Sequence, residues 1–176
     1  NQRAGRSRGF QALGGESGLV CVSGKARTTC AYLRMPAEPL DLPGAGLLSV
    51  SLGDRHGCFL AAGTVGCFDE SRIRRGKPQV VADAGPPEPI PPVPGIEPVR
   101  SLAVGGMHNC AQKQDGKILC WGDNDVGQVN PRSREVQIPA PVEVGSYPPD
   151  WTLDAHFRLS CVNSPDARYH CWGNCG

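Results

Sequence analysis

The chain has no long apolar run: every apolar stretch falls well short of the roughly 18 residues that a membrane-crossing helix needs, so no transmembrane segment is expected. It also lacks helical periodicity. No window sustains apolar residues at i, i+3, i+4 and i+7, and 23 glycines with 17 prolines argue against long helices. A charge of one sign is missing too. With a formal net charge of +1 there is no global field to attract nucleic acid or an anionic membrane, and neither is expected as a partner. The C-x2-C spacing common in tetrahedral zinc sites is absent, and no metal is expected. The chain begins at Asn1 with no basic-then-apolar leader, the expectation for a processed mature protein or a fragment.

Motifs that carry chemistry are missing as well. Gly18 to Lys25 has the glycines and lysine of a phosphate loop, but with one residue too many between the glycines and Ala26 where Ser or Thr must meet magnesium. Asp123-Asn124-Asp125 with Gly127 faintly suggests a calcium loop, but its glycine falls at position five, where an EF-hand needs it at six. A catalytic thiol would have to be an unpaired cysteine near histidine, and only Cys175, close to His156 and His170, fits that description. No catalytic residue, cofactor or small-molecule substrate is therefore expected. The basic cluster Arg72, Arg74, Arg75 and Lys77 reads as a solvated loop, and Arg3, Arg6 and Arg8 as a frayed terminus or an arm that orders on a partner.

What the chain does have is repetition. In residues 101 to 129 an apolar strand (Leu102, Ala103, Val104) runs into Gly105-Gly106. Cys110 to Lys113 and Lys117 to Cys120 then flank Gln114-Asp115-Gly116, a three-residue hairpin loop with Gly at the left-handed position. Centring this hairpin on Asp115 sets Cys110 opposite Cys120, about 4.5 to 5.5 Å apart at Cα, within reach of a disulfide. Three further pairs share the spacing: Cys58 and Cys67 around Ala62-Gly63, Cys161 and Cys171 around Pro165-Asp166-Ala167, and Cys21 and Cys30 around Lys25-Ala26, which is a poor turn. His56 and His108 each stand two residues before a first cysteine, and Phe68, Trp121 and Trp172 each follow a second one.

Residues 101 to 130 resemble the repeat of the regulator of chromosome condensation family. Gly105, Gly106, His108, Cys110, Ala111, Asp115, Gly116, Cys120, Trp121, Gly122, Asn124, Gly127 and Gln128 fall on its pattern. The other copies depart from it. The second lacks the Trp-Gly corner, the first keeps little beyond Gly14-Gly15 and its cysteines, and the fourth has His156-Phe157 and Leu159 where glycines and histidine belong. The resemblance implies an all-β fold of propeller blades radiating around an axis, about fifty residues each and seven to a ring. One propeller-like domain over 1–176 is expected, with repeats at about 9–43, 44–98, 99–150 and 151–176, and Trp121-Gly122 and Trp172-Gly173 as the repeat corners. Between copies two and three, Pro86 to Pro94 should lie as extended polyproline on the surface, and Val136 to Val144 should add a further strand.

Nine cysteines, eight of them in evenly spaced pairs, argue for an oxidising compartment, extracellular or the lumen of the secretory pathway, with zinc binding and reduced packing thiols as the competing readings. Three functions compete. A secreted scaffold or adhesion module would assemble with other protein chains. An inhibitor of a secreted enzyme, a role the family's fold can serve, would use Tyr147, Trp151 and Tyr169 as anchors. An exchange factor for a small nuclear GTPase conflicts with paired cysteines. Four copies supply about half of a seven-bladed ring, so the propeller is expected to be incomplete, completed by further chain or by another polypeptide, with Cys175 seeking an intermolecular partner. Peptide mapping without reduction is expected to recover the links Cys21 to Cys30, Cys58 to Cys67, Cys110 to Cys120 and Cys161 to Cys171, each worth roughly 2 to 3 kcal/mol; links between different repeats would mean a wrong hairpin register.

Overall fold

The cysteine-centred hairpins are the middle of four antiparallel sheets. A computed structural model describes residues 11–14, 19–23, 28–32, 40–42, 47–69 and 90–174, and among them there are strands and turns but no helix. The first sheet is β1 (Gln11–Gly14), β2 (Leu19–Ser23), β3 (Thr28–Tyr32) and β4 (Leu40–Leu42). The second is β5 (Leu47–Leu52), β6 (His56–Ala61) and β7 (Thr64–Asp69). The third is β8 (Val99–Val104), β9 (His108–Lys113), β10 (Lys117–Asp123) and β11 (Gln137–Ser146). The fourth is β12 (Thr152–His156), β13 (Leu159–Asn163) and β14 (Tyr169–Gly173). Within each sheet the strands lie in sequence order, so each is one up-and-down blade of a propeller.

Turn chemistry sets the register. Ala62 (φ 50°) and Gly63 (φ 81°) form a two-residue turn with both residues left-handed, the geometry that matches strand twist. Gly116 (φ 89°) closes the longer loop, and a Cβ there would stand 2.1 Å from the Tyr147 carbonyl oxygen. These turns oppose Cys58 to Cys67 and Cys110 to Cys120; Cys21 opposes Cys30 and Cys161 opposes Cys171. All four pairs are disulfides with Cα atoms 4.0 to 4.1 Å apart.

The core is divided among the junctions between successive blades. Cys21, Cys30 and Leu42 of the first meet Val50, Phe59 and Phe68 of the second. Cys58, Leu60 and Val65 of the second meet Val104, Ala111 and Trp121 of the third. Cys110, Ile118 and Cys120 of the third meet Val162 and Trp172 of the fourth. Each disulfide thus receives the aromatic corner of the next blade. Burying a Phe-sized side chain contributes roughly 1.5 to 3 kcal/mol, against about 1 kcal/mol for a hydrogen bond, so these apolar contacts carry the junctions. A backbone rail accompanies them: Asp54 N–H donates to Gly106 C=O (3.0 Å), and Gly106 N–H to Phe157 C=O (2.8 Å). Among the described residues the blades do not close into a ring.

Two expectations are refined here. Of the proline stretch, residues 86–89 lie outside the described residues; in the remainder Pro91, Pro92 and Pro94 are exposed, as expected of a surface segment, but the segment also pairs with the second blade. Val93 N–H donates to Val65 C=O (2.8 Å), Pro92 bridges Gly66, and Ile90, Val93 and Ile96 pack into the junction clusters. Proline is excluded from sheet interiors but not from edges, and here the segment lines the outer edge of the second blade. The strand expected over 136–144 runs instead from Gln137 to Ser146, because a bulge beside Cys120 and another beside Ile118 carry the pairing further.

Trp121→Ala empties the junction between the second and third blades and is expected to cost about 3 to 5 kcal/mol in urea unfolding. Gly122→Ala should cost more than about 1 kcal/mol, since Gly122 sits at φ 112° and its Cβ would meet the Met107 carbonyl oxygen at 2.7 Å. Wild-type stability for either variant would show that the corner does not hold the junction.

Candidate functional site

The histidines before the first cysteines reach into the following blade. His56 Nε2 lies 2.9 Å from Asn109 Oδ1. His108 Nε2 lies 2.8 Å from Ser160 Oγ, and that hydroxyl donates to the Gln128 carbonyl (2.8 Å). Ser160 therefore accepts from a protonated Nε2, which leaves Nδ1 as the bare nitrogen of a neutral ring. Nδ1 is buried without a hydrogen-bond partner, and both His108 and Ser160 are fully buried. A nucleophile and base would need an orienting group on Nδ1 and access for substrate; this pair has neither and acts as a lock between blades. Burial pushes the His108 pKa down to about 4, with the neighbouring His56 adding to the effect, and burial lowers His56 as well.

The turn after the Trp121 corner is held by its own polar groups. Asn124 Oδ1 accepts from the Val129 and Asn130 amides, and its Nδ2 donates to the Glu135 carbonyl (2.8 Å). Gln128 Nε2 donates to Asp123 Oδ2 and Asp125 Oδ1. Gln137 donates to Asp123 Oδ1, and Arg158 of the next blade pairs with Asp125. The carboxylates that faintly suggested a calcium loop thus have protein donors. Among the described residues no group of three or more His, Cys, Asp or Glu is placed to hold a metal ion.

The three anchor candidates separate. Tyr147 and Trp151 pack together at the outer rim with ring centroids 5.4 Å apart, the Tyr147 hydroxyl bonds His170 Nδ1, and Arg168 stacks 5.6 Å above Trp151. Tyr169 stands on the opposite face of the fourth blade and is 70% exposed. Cys175 lies outside the described residues, as do the basic clusters at 3–8 and 72–77. Among the exposed apolar residues that the sequence reading did not single out, which include Val126 and Val136, Met107 (52% exposed) and Phe157 (56% exposed, φ 30°) lie on adjacent turns of the backbone rail. The signal was available, since Phe157 stands where the third copy has Gly106.

Among the described residues, the face of the fourth blade that carries Tyr169 is incompletely covered. His108, Cys110, Gln112, Ile118 and Cys120 of the third blade lie on the corresponding face and are buried beneath the fourth blade. Their counterparts Leu159, Cys161, Asn163 and Cys171 are only half-buried, and Asp154 is exposed. Such a face leaves apolar surface and a protruding aromatic exposed to solvent.

The family model described as "Regulator of chromosome condensation (RCC1) repeat" matches residues 99–128. A curated relative, the RCC1 domain-containing protein RUG3, mitochondrial, of Arabidopsis thaliana, is 41% identical over 59 residues, which is 32% of this chain and 13% of the relative. Among solved structures, that of Kap60 bound to yeast RCC1 (Prp20) aligns with a TM-score of 0.65 at 16% identity, over 89% of this chain and 40% of that one. The ectodomain of the Physcomitrella patens receptor kinase CR4 aligns with a TM-score of 0.55 at 19% identity, over 92% and 40%. The chain thus spans two fifths of the length of these solved propellers and a smaller share of the curated relative. At these identities the structural likeness concerns the fold.

The buried histidine makes stability depend on pH. The unfolded chain protonates His108 below its ordinary value of 6.5, whereas the folded chain holds it neutral to about 4, so its contribution is complete above pH 6.5 and is lost as pH falls toward 4. The loss is at most about 3 kcal/mol. His108→Gln keeps a donor for Ser160 without the titration and is expected to flatten the pH dependence of urea unfolding between pH 6.5 and 4.5; an unchanged slope would remove His108 as its source.

Proposed function

We propose, from a chain that carries disulfide-bearing blades of the regulator of chromosome condensation repeat family, that this protein is a non-enzymatic propeller module that binds other protein chains outside the reducing cytosol. The observation that carries this reading is the half-covered face of the fourth blade, with Tyr169 70% exposed where earlier blades bury the equivalent position. Four cross-strand disulfides support an oxidising compartment, extracellular or secretory. The mitochondrial address in the name of the Arabidopsis relative belongs to a protein that shares 59 residues with this chain. Tyr147 and Trp151 pack on His170 and Arg168 rather than standing free, which supports a scaffold or assembly subunit over an inhibitor that would use them as anchors.

The test is quantitative cross-linking of secreted protein. Wild type is expected to retain another protein chain, and Tyr169→Glu or the pair Met107→Glu and Phe157→Glu to lose it, with no turnover in a panel of hydrolase assays and no nucleotide exchange on a small GTPase. Retention of no protein, or turnover by the purified chain, would overturn the reading.

A further inference from the structure

The turns of the backbone rail bring three blades together at one end of their sheets. Asp54 between β5 and β6, Gly106 between β8 and β9, and Phe157 between β12 and β13 hold the same position, four residues before the first cysteine, and the rail joins them. Gly106 is the small member of the set. A Cβ there would stand 3.1 Å from Asp54 Oδ2 and 3.3 Å from Phe157 Cδ2, so its missing side chain lets the carboxylate of the second blade and the ring of the fourth meet over the third. Met107 comes next in the chain, and it and the Phe157 ring are both exposed while Asp54 is half-buried.

The Asp54 carboxylate is paired with no described residue, whereas Asp123 and Asp125 at the same end are held by Gln128, Gln137 and Arg158. Carboxylate predominates around the rail: Asp54, Asp69, Asp123 and Asp125 lie there with Arg55 and Arg158. A neutral apolar side chain covering Met107 and Phe157 would strip water from Asp54 and leave its charge unpaired, which is unfavourable. A guanidinium avoids this. It pairs with a carboxylate and stacks on an aromatic ring together, and its methylene stem covers apolar surface. None of this depends on what packs against the first or the fourth blade. Met107 is exposed although its blade has neighbours on both sheet faces, since the turns project from the strand ends, and an edge of the Phe157 ring is turned to the third blade.

We propose that Asp54, Met107 and Phe157 form a recognition surface for an arginine side chain of a partner protein. The guanidinium lies beside the Asp54 carboxylate and against the Phe157 ring, and the stem packs on Met107. The inference rests on the protein-binding reading and names the chemistry by which the partner is recognised.

NMR titration of the isotope-labelled chain with acetyl-Leu-Arg-Leu-amide, at up to about 10 mM peptide, tests it against the same peptide carrying citrulline, which keeps the shape of arginine without its charge. The arginine peptide is expected to shift the Met107 methyl and the Gly106 and Phe157 amide resonances, and the citrulline peptide to bind about fivefold more weakly. Asp54→Asn and Phe157→Leu should each weaken the arginine peptide about fivefold, and Asp54→Asn should remove the preference for arginine over citrulline. Non-reduced peptide mapping and cooperative urea unfolding verify that the variants fold, and Asp54→Asn decides alone if Phe157→Leu does not. No shift at these resonances, equal affinity for the two peptides, or an unchanged affinity of Asp54→Asn overturns the proposal. If it is overturned while the chain still retains another protein in the cross-linking assay, this inference falls and the protein-binding reading stands; if the arginine peptide binds as expected and no other protein is retained, the reverse holds.

Discussion

The structure depends on one contact made three times, in which the aromatic at a blade's corner lies on the cross-strand disulfide of the blade before it. A two-stranded hairpin is marginally stable alone. The disulfide pins the register of the central hairpin and offers sulfur and methylene surface to the neighbour, while the corner glycine, at φ 112° or 102°, lets the aromatic turn onto it. Stability therefore accumulates junction by junction, as in a one-dimensional array, and not around a single core. Phe68 does for the second blade what Trp121 and Trp172 do for the third and fourth.

Around that apolar contact the polar groups set which blade follows which. A histidine in a junction requires an acceptor on the facing strand, and the chain supplies Asn109 and Ser160 at those points. These bonds add little net energy when made, but a mismatched junction would bury an unpaired donor. They act as selectivity rather than glue. The rail of amides from Asp54 through Gly106 to Phe157 is indifferent to side chain and fixes only the spacing of the blades near the axis.

This division of labour accounts for the described residues whose types suggested chemistry in the sequence. His56 and His108 sit in the junctions with burial lowering their pKa, Ser160 is occupied by the Gln128 carbonyl, and Asp123 and Asp125 are occupied by Gln128, Gln137 and Arg158. Among the described residues the large apolar side chains left exposed are Met107, Val126, Val136, Phe157 and Tyr169, with Leu159 half-buried.

The local structure was legible because hairpins are local. Equal cysteine spacing, the Gly63 and Gly116 turns and the two-residue alternation of strands determined, within about ten residues of chain, which positions oppose each other, and the Trp-Gly corners identified the repeat. Two things were not legible. Ile90 and Val93 read as part of a proline-rich linker because their half-burial comes from packing on the second blade, whose strand β7 lies far upstream. Tyr147, Trp151 and Tyr169 looked alike as exposed aromatics, and only the stacking of the third and fourth blades divides them into two packed residues and one free one. The sequence alone determined the hairpins and their disulfide register, since these follow from period, turn residues and spacing within one blade. Only the tertiary structure decided which face of each blade is covered, because that depends on contacts some fifty residues apart whose energy is gained only once both blades exist.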